Sequence, residues 1–155
     1  MSERSVEHST FVVERVHDAS PDLTSAAWSD PQAKGALVLR FRRTSTSSDF
    51  RVGGWERHGG ILPDGREYAY QALFWDIAPG QRIVYTYDML LDGIRISVSL
   101  ATAEFKAEGD GTRLLFTEQG AFLDGHEMPT RREQGMGSLL DSLGRWLQGS
   151  RSDCG

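Results

Sequence analysis

Cysteine is almost absent from this chain. Cys154, next to the last residue, is the single one, so no internal disulfide can form and the reducing cytoplasm is the expected compartment. A thiol in a frayed chain end is also a poor nucleophile. No apolar run approaches the roughly 20 residues that span a bilayer, and Met1 to His8 is charged and polar, without the pattern of a signal peptide. Neither membrane insertion nor export is expected. Positive charge is in deficit, with 17 basic against 22 acidic residues, which argues against a nucleic-acid groove.

Motif chemistry is equally sparse. The four histidines, His8, His17, His58 and His126, lack metal-ligand spacing, and His126-Glu127 has no second histidine to complete a helical zinc site. Gly135-Met136-Gly137 resembles part of a dinucleotide fingerprint, but no strand leads into it. No metal and no cofactor are expected. Ser97, Ser99 and Thr117 read as outward strand positions rather than nucleophiles.

What is present is a single globular domain. The 155 residues, 39% hydrophobic and 25% charged, suffice for one core without metal or disulfide staples. The domain is expected over residues 9–149, with flexible tails at 1–8 and 150–155. Strong turn signals punctuate the middle: Pro63-Asp64-Gly65, Pro79-Gly80, Asp92-Gly93 and Gly109-Asp110-Gly111. Connections this short join antiparallel neighbours. They define a five-strand meander: Asp49–Gly59, Arg66–Ile77, Gln81–Leu90, Ile94–Ala107 and Thr112–Gly120. A strand over Ala36–Arg42 precedes it through the polar loop Thr44–Ser48, and Ser9–Val16 opens the fold. Between these two, Ser20-Pro21-Asp22 starts a short helix that Asp30-Pro31 interrupts.

The strands alternate, which implies one covered face and one wet face. Tyr68, Tyr70, Ala72 and Phe74 share a face, as do Ile83, Tyr85, Tyr87 and Met89, and Ile94, Ile96, Val98 and Leu100. The cover is a helix over Arg131–Gln148, whose apolar stripe includes Met136, Leu139, Leu140, Leu143 and Leu147, with Gly149 as its C-terminal stop. Fold class is α+β: a curved antiparallel sheet of about seven strands around a long C-terminal helix, with a small helical lid.

Such a trough can hold a ligand. Trp28, Tyr68, Tyr70, Phe74, Tyr85, Tyr87, Met89, Met136 and Leu140 are the expected lining, with Glu56 turned inward by a bulge at Gly54-Trp55. The same aromatics can equally fill a core. Glu56 and His58 are the candidate acid–base groups, if they face the trough rather than solvent.

Five motifs occur in a telling order: Ala27-Trp28-Ser29-Asp30-Pro31, Phe50-Arg51-Val52-Gly53-Gly54, Pro63-Asp64-Gly65-Arg66-Glu67-Tyr68, Arg82-Ile83-Val84-Tyr85-Thr86 and the run Gly135 to Leu143. Together they resemble the domain homologous to the activator of the heat-shock protein 90 ATPase, in the START-like, SRPBCC superfamily. The resemblance implies the helix-grip fold and a cavity between sheet and helix. It does not select one activity, since the superfamily includes carriers, cyclases and chaperone activators. Two departures are visible: Gln32 to Ala36 replaces paired tryptophans, and Met136 stands where many members carry tryptophan. Three readings follow: a binder of a small hydrophobic or aromatic molecule, a cyclase- or hydrolase-type enzyme, and a protein-interaction module such as a chaperone regulator. A homodimer or another protein partner stays open.

Overall fold

The computed structural model describes residues 4–30 and 42–153. Its elements are β1 (Val6–His17), α1 (Pro21–Ser29), β2 (Arg42–Ser48), β3 (Trp55–Ile61), β4 (Glu67–Ala78), β5 (Arg82–Leu91), β6 (Ile94–Glu108), β7 (Gly111–Leu123) and α2 (Pro129–Asp153). All seven strands form one antiparallel sheet in the order β1-β7-β6-β5-β4-β3-β2. This is the helix-grip arrangement that the resemblance implies: a meander closed on one side by the first strand, with both helices on its concave face.

Local chemistry sets the boundaries. Ser20 accepts a hydrogen bond from the Leu23 amide at 3.2 Å, and Pro21 opens the helix. Asp30 ends it in extended conformation, consistent with the constraint imposed by a following proline. Gly65, Gly80, Gly93 and Gly109 all take positive φ at the four turns read from sequence.

Several expectations need correction. Thr44–Ser48 is not a loop but part of β2, which pairs with β3 from Arg42 opposite Ile61 to Ser48 opposite Glu56. The strand placed over Ala36–Arg42 lies, except for Arg42, outside the described residues. β3 begins only at Trp55, because Asp49–Gly54 folds into a turn in which Gly54 has no room for a Cβ, 2.0 Å from the Asp49 carbonyl oxygen. β1 starts at Val6 rather than Ser9, anchored where Ser5 receives the Asp124 amide at 2.9 Å. Helix α2 passes through Gly149 to Asp153.

The largest correction concerns β6. An irregularity against β5 between Met89 and Leu90 shifts the register around Ile96. Beyond it, Ser97, Ser99, Ala101, Ala103 and Phe105 face inward, while Val98 and Leu100 are exposed on the convex side. Of the apolar set expected on the inner face, Ile96 is buried, whereas Ile94, Val98 and Leu100 are exposed. A bulge exchanges the two faces of a strand, and nothing in the alternation marks where it falls.

Cross-strand register orders the concave face into rows. One row runs His58–Tyr70–Met89–Ser97–Phe122, the next Glu56–Ala72–Tyr87–Ser99–Gly120, and a third Phe74–Tyr85–Ala101–Glu118–Phe11. The next row, Ile83, Ala103, Phe116 and Val13, is apolar. At that apolar end Leu147 and α1 close the core, and Trp28 stacks on Phe116 (centroids 6.0 Å) and meets Phe105 edge-on. At the other end lies the start of α2.

His17 sits in the apolar half, 8% exposed, beside Gly144, where any Cβ would lie 2.8 Å from its ring. Among the described residues its Nε2 has no hydrogen-bond partner. Burial pulls its pKa below the ordinary 6.5, against the opposing pull of Asp141. Below pH 6.5 the unfolded chain therefore takes up a proton before the folded one, and stability falls with pH in that window. Thermal midpoints from pH 7.5 to 5 are expected to decline, and the decline should be shallower in His17→Gln. Equal slopes would assign it to other groups.

Candidate ligand-binding site

The polar rows converge on a carboxylate that sequence reasoning missed. Glu118, on β7, is completely buried. Its Oε1 accepts the Tyr87 hydroxyl at 2.7 Å, and its Oε2 accepts Ser99 at 2.8 Å and Arg132 Nη1 at 3.3 Å. Arg132, the fourth residue of α2 and 8% exposed, also donates from Nη1 to the Tyr87 oxygen (2.9 Å), from Nη2 to Ser97 (2.8 Å) and from Nε to Glu127 (2.6 Å). Its guanidinium lies over the Phe122 ring, 5.1 Å from the centroid. Gly120 makes room for this arrangement, since a Cβ there would stand 2.9 Å from both the Phe122 ring and Ser99 Oγ. Burial alone would lower the Arg132 pKa; Tyr87 and the Glu127 and Glu118 carboxylates outweigh it, so the guanidinium stays charged. The result ties the start of α2 to β5, β6 and β7.

This closed knot changes the expectation for Tyr87. The hydroxyl of this expected lining residue is committed to Glu118 and Arg132. Ser97 and Ser99, expected outward, are buried members of the same network.

A second polar group lies across the tyrosines. Glu56 is 3% exposed, with Ser48 Oγ 3.4 Å from one carboxylate oxygen and His58 Nε2 3.7 Å from the other. His58 Nδ1 is 2.8 Å from Thr46 Oγ1. Both residues face the concave side because β3, once clear of the Gly53-Gly54 turn, sets Glu56 opposite Ala72 and His58 opposite Tyr70. The Tyr70 ring lies between those of His58 (5.3 Å) and Tyr87 (5.1 Å), and Tyr85 follows 6.0 Å beyond Tyr87. Burial pushes the Tyr70 and Tyr85 hydroxyls well above the usual phenol range; the neighbouring phenols and the Glu56 and Glu118 carboxylates add to it, and at Tyr85 a hydrogen bond with Tyr70 partly offsets it. These phenols therefore remain neutral hydrogen-bonding groups at every physiological pH.

The other expected lining residues divide. Phe74 is 1% exposed and packs on Phe50 and Tyr85; Leu140 is 1% exposed in the core; Tyr68 is buried. Met89 and Met136 are only partly buried against the core. Trp28 stands apart, at the apolar end with Phe105 and Phe116 rather than beside the tyrosines. Among the described residues, no cluster of three or more His, Cys, Asp or Glu could hold a metal ion, and no helix is long and apolar enough to cross a membrane.

Comparison with known proteins agrees with this architecture. An uncharacterized protein from Rhizobium leguminosarum superimposes with a TM-score of 0.88 at 42% identity, covering 95% of this chain and 99% of its own. The Mll3558 protein of Rhizobium loti gives 0.85 at 42% identity, over 91% and 98%. CV1439 from Chromobacterium violaceum shares the fold at 22% identity, with a TM-score of 0.77 over 89% and 96%. No curated protein matches the chain. The family model described as "Activator of Hsp90 ATPase homolog 1-like protein" matches residues 18–148, and the chain belongs to that family, a ligand-binding fold of the SRPBCC type.

Proposed function

We propose that this domain binds a small hydrophobic or aromatic molecule with at least one polar group, between the inner faces of β3–β5 and the first turns of α2. One observation carries the reading. At this end Tyr70, Met89 and Met136 are only partly buried, whereas Ala101, Ala103 and Phe116 deeper in the sheet are 0% exposed. An incompletely covered set of aromatic and thioether side chains, edged by a few polar groups, suits a ligand of mixed character. The Arg132–Glu118 knot would form the rigid floor, and Tyr70, Tyr85, Glu56 and His58 the polar rim.

Native mass spectrometry of protein purified under gentle conditions tests this. The expected spectrum shows a stoichiometric mass increment that disappears on denaturation. Met89→Trp, which fills the space beside Tyr70, is expected to lose that increment at an unchanged melting temperature. A wild-type protein that carries nothing, and binds no member of a broad lipid and aromatic polyketide panel, would contradict the proposal.

A second reading has its own support. Glu56 is buried and His58 half-buried, beside the neutral phenol of Tyr70. Such a set matches acid–base chemistry on an enolisable carbonyl, with a phenol holding the oxygen. Under this reading a bound aromatic polyketide is converted rather than returned unchanged, and Glu56→Gln stops the conversion while leaving binding intact.

A further inference from the structure

We propose that two copies of this chain associate through their β1 strands, in an antiparallel register with Phe11 opposite Phe11, to form one continuous sheet. The two edges of the sheet are built differently. β2 is seven residues long, contains no apolar residue, begins with two arginines and is broken by a register shift between Arg43 and Ser45. These are devices that prevent strand addition. β1 is neither short nor broken, and its charged residues, Glu7, Glu14 and Arg15, are of both signs. It runs 12 residues, pairs with β7 without interruption, and contains neither proline nor lysine. Val6, Val12 and Val16 expose 55–60% of their surface along it.

Hydrogen-bond parity limits the registers available. Ser5 accepts from the Asp124 amide, so the odd residues of β1 exchange bonds with β7. The even residues, Val6 to Val16, direct their N–H and C=O groups to the free side. A second β1 must then set even residues opposite even residues. With Phe11 on the twofold axis, Val6 faces Val16 of the second copy, His8 faces Glu14, and Thr10 faces Val12. On the other face Glu7 stands opposite Arg15. Every cross-strand pair is apolar with apolar, small polar with apolar, or acid with base. Moving the axis to Val12 sets His8 against Val16 and Thr10 against Glu14, and both charge pairings are lost. A groove of about 380 Å³ runs beside this edge between β1 and α2, with Val13, Arg15, Gly137 and Asp141 in its walls. It leaves room for the second copy's Ser9 and Glu7 side chains. The interface is isologous, as a twofold dimer requires.

Sedimentation equilibrium of the full chain tests the dimer. The wild type is expected to dimerise reversibly. Thr10→Pro removes an amide that points away from β7, so the fold and its melting temperature should be retained while the dissociation constant rises at least about tenfold. A wild type that stays monomeric at its highest soluble concentration overturns the proposal, as does a Thr10→Pro variant that folds and dimerises normally. The register is tested separately in a Cys154→Ser background. Cα atoms of hydrogen-bonded partners lie about 5.5 Å apart, within disulfide range. The double variant Thr10→Cys/Val12→Cys is therefore expected to crosslink into a dimer on mild oxidation, and Val12→Cys alone is not. Crosslinking by Val12→Cys alone would place the axis at Val12 and overturn the register.

Discussion

Arg132→Leu is expected to lower the unfolding free energy by about 3–5 kcal/mol, the usual loss when one partner of a buried ion pair is removed. The reason is the position of Glu118. It is fully buried on β7, and Arg132 is the cation it contacts. Ser99 and Tyr87 would still donate to it, but a buried carboxylate without a counter-charge is far more costly than one that keeps it. Glu127 matters less, because its side chain is 19% exposed and water can replace the guanidinium. The coupling can be isolated. In Arg132→Leu/Glu118→Gln the orphaned charge is gone, and the amide oxygen can still accept from Ser99 or Tyr87, so the double variant should be more stable than the single one. Urea unfolding of the four proteins in the cycle measures this. A single-variant loss under about 1 kcal/mol, or a double variant no better than the single, would mean that the knot contributes little.

Ending the chain at Met128 is expected to abolish cooperative folding. Leu140, Leu143 and Leu147 are 1%, 0% and 5% exposed, and each buried leucine contributes about 1.5–3 kcal/mol. Their sum approaches the roughly 5–15 kcal/mol that separates a folded domain from its unfolded state. The same truncation removes Arg132, leaving Glu118 without its cation, and strips the cover from Phe11 and Val13. Calorimetry should show no heat-absorption peak. A cooperative transition in the truncated protein would mean that the sheet is stable without its helix.

Most of the architecture was legible from residues because it rests on short-range signals. Asp-Gly and Pro-Gly turns at fixed intervals force antiparallel neighbours, and a leucine stripe at spacings of three and four forces an amphipathic helix. What failed was long-range or irregular. The bulge at Ile96 reverses the faces of β6, so Val98 and Leu100, read as inner, are exposed, and Ser97 and Ser99, read as outer, are buried. β2 is polar throughout because it is an edge strand, so the composition of Thr44–Ser48 suggested a loop.

The missed members of the site did leave a trace. Glu118 falls on the same parity as Leu114, Phe116 and Phe122, and Arg132 lies four residues before Met136, on the stripe that continues to Leu140. A single charge on each of two apolar faces is the pattern of a buried pair, and pairing the two would have identified it. The position of Trp28 was not legible in this way. Its helix was correctly expected, but only the register of β6 and β7 shows that α1 closes the apolar end, away from the tyrosines.

The most direct test of the proposed ligand site between sheet and helix is a methyl-resolved NMR titration of the full chain with a small aromatic polyketide or fatty-acid probe. The expected result is saturable one-to-one shifts centred on the Met89, Met136 and Leu140 methyls, with the Val98 and Leu100 methyls on the convex face unmoved. Shifts centred on Val98 and Leu100, or none at Met89 and Met136 across a broad probe panel, would contradict a ligand site between the tyrosine strands and the C-terminal helix.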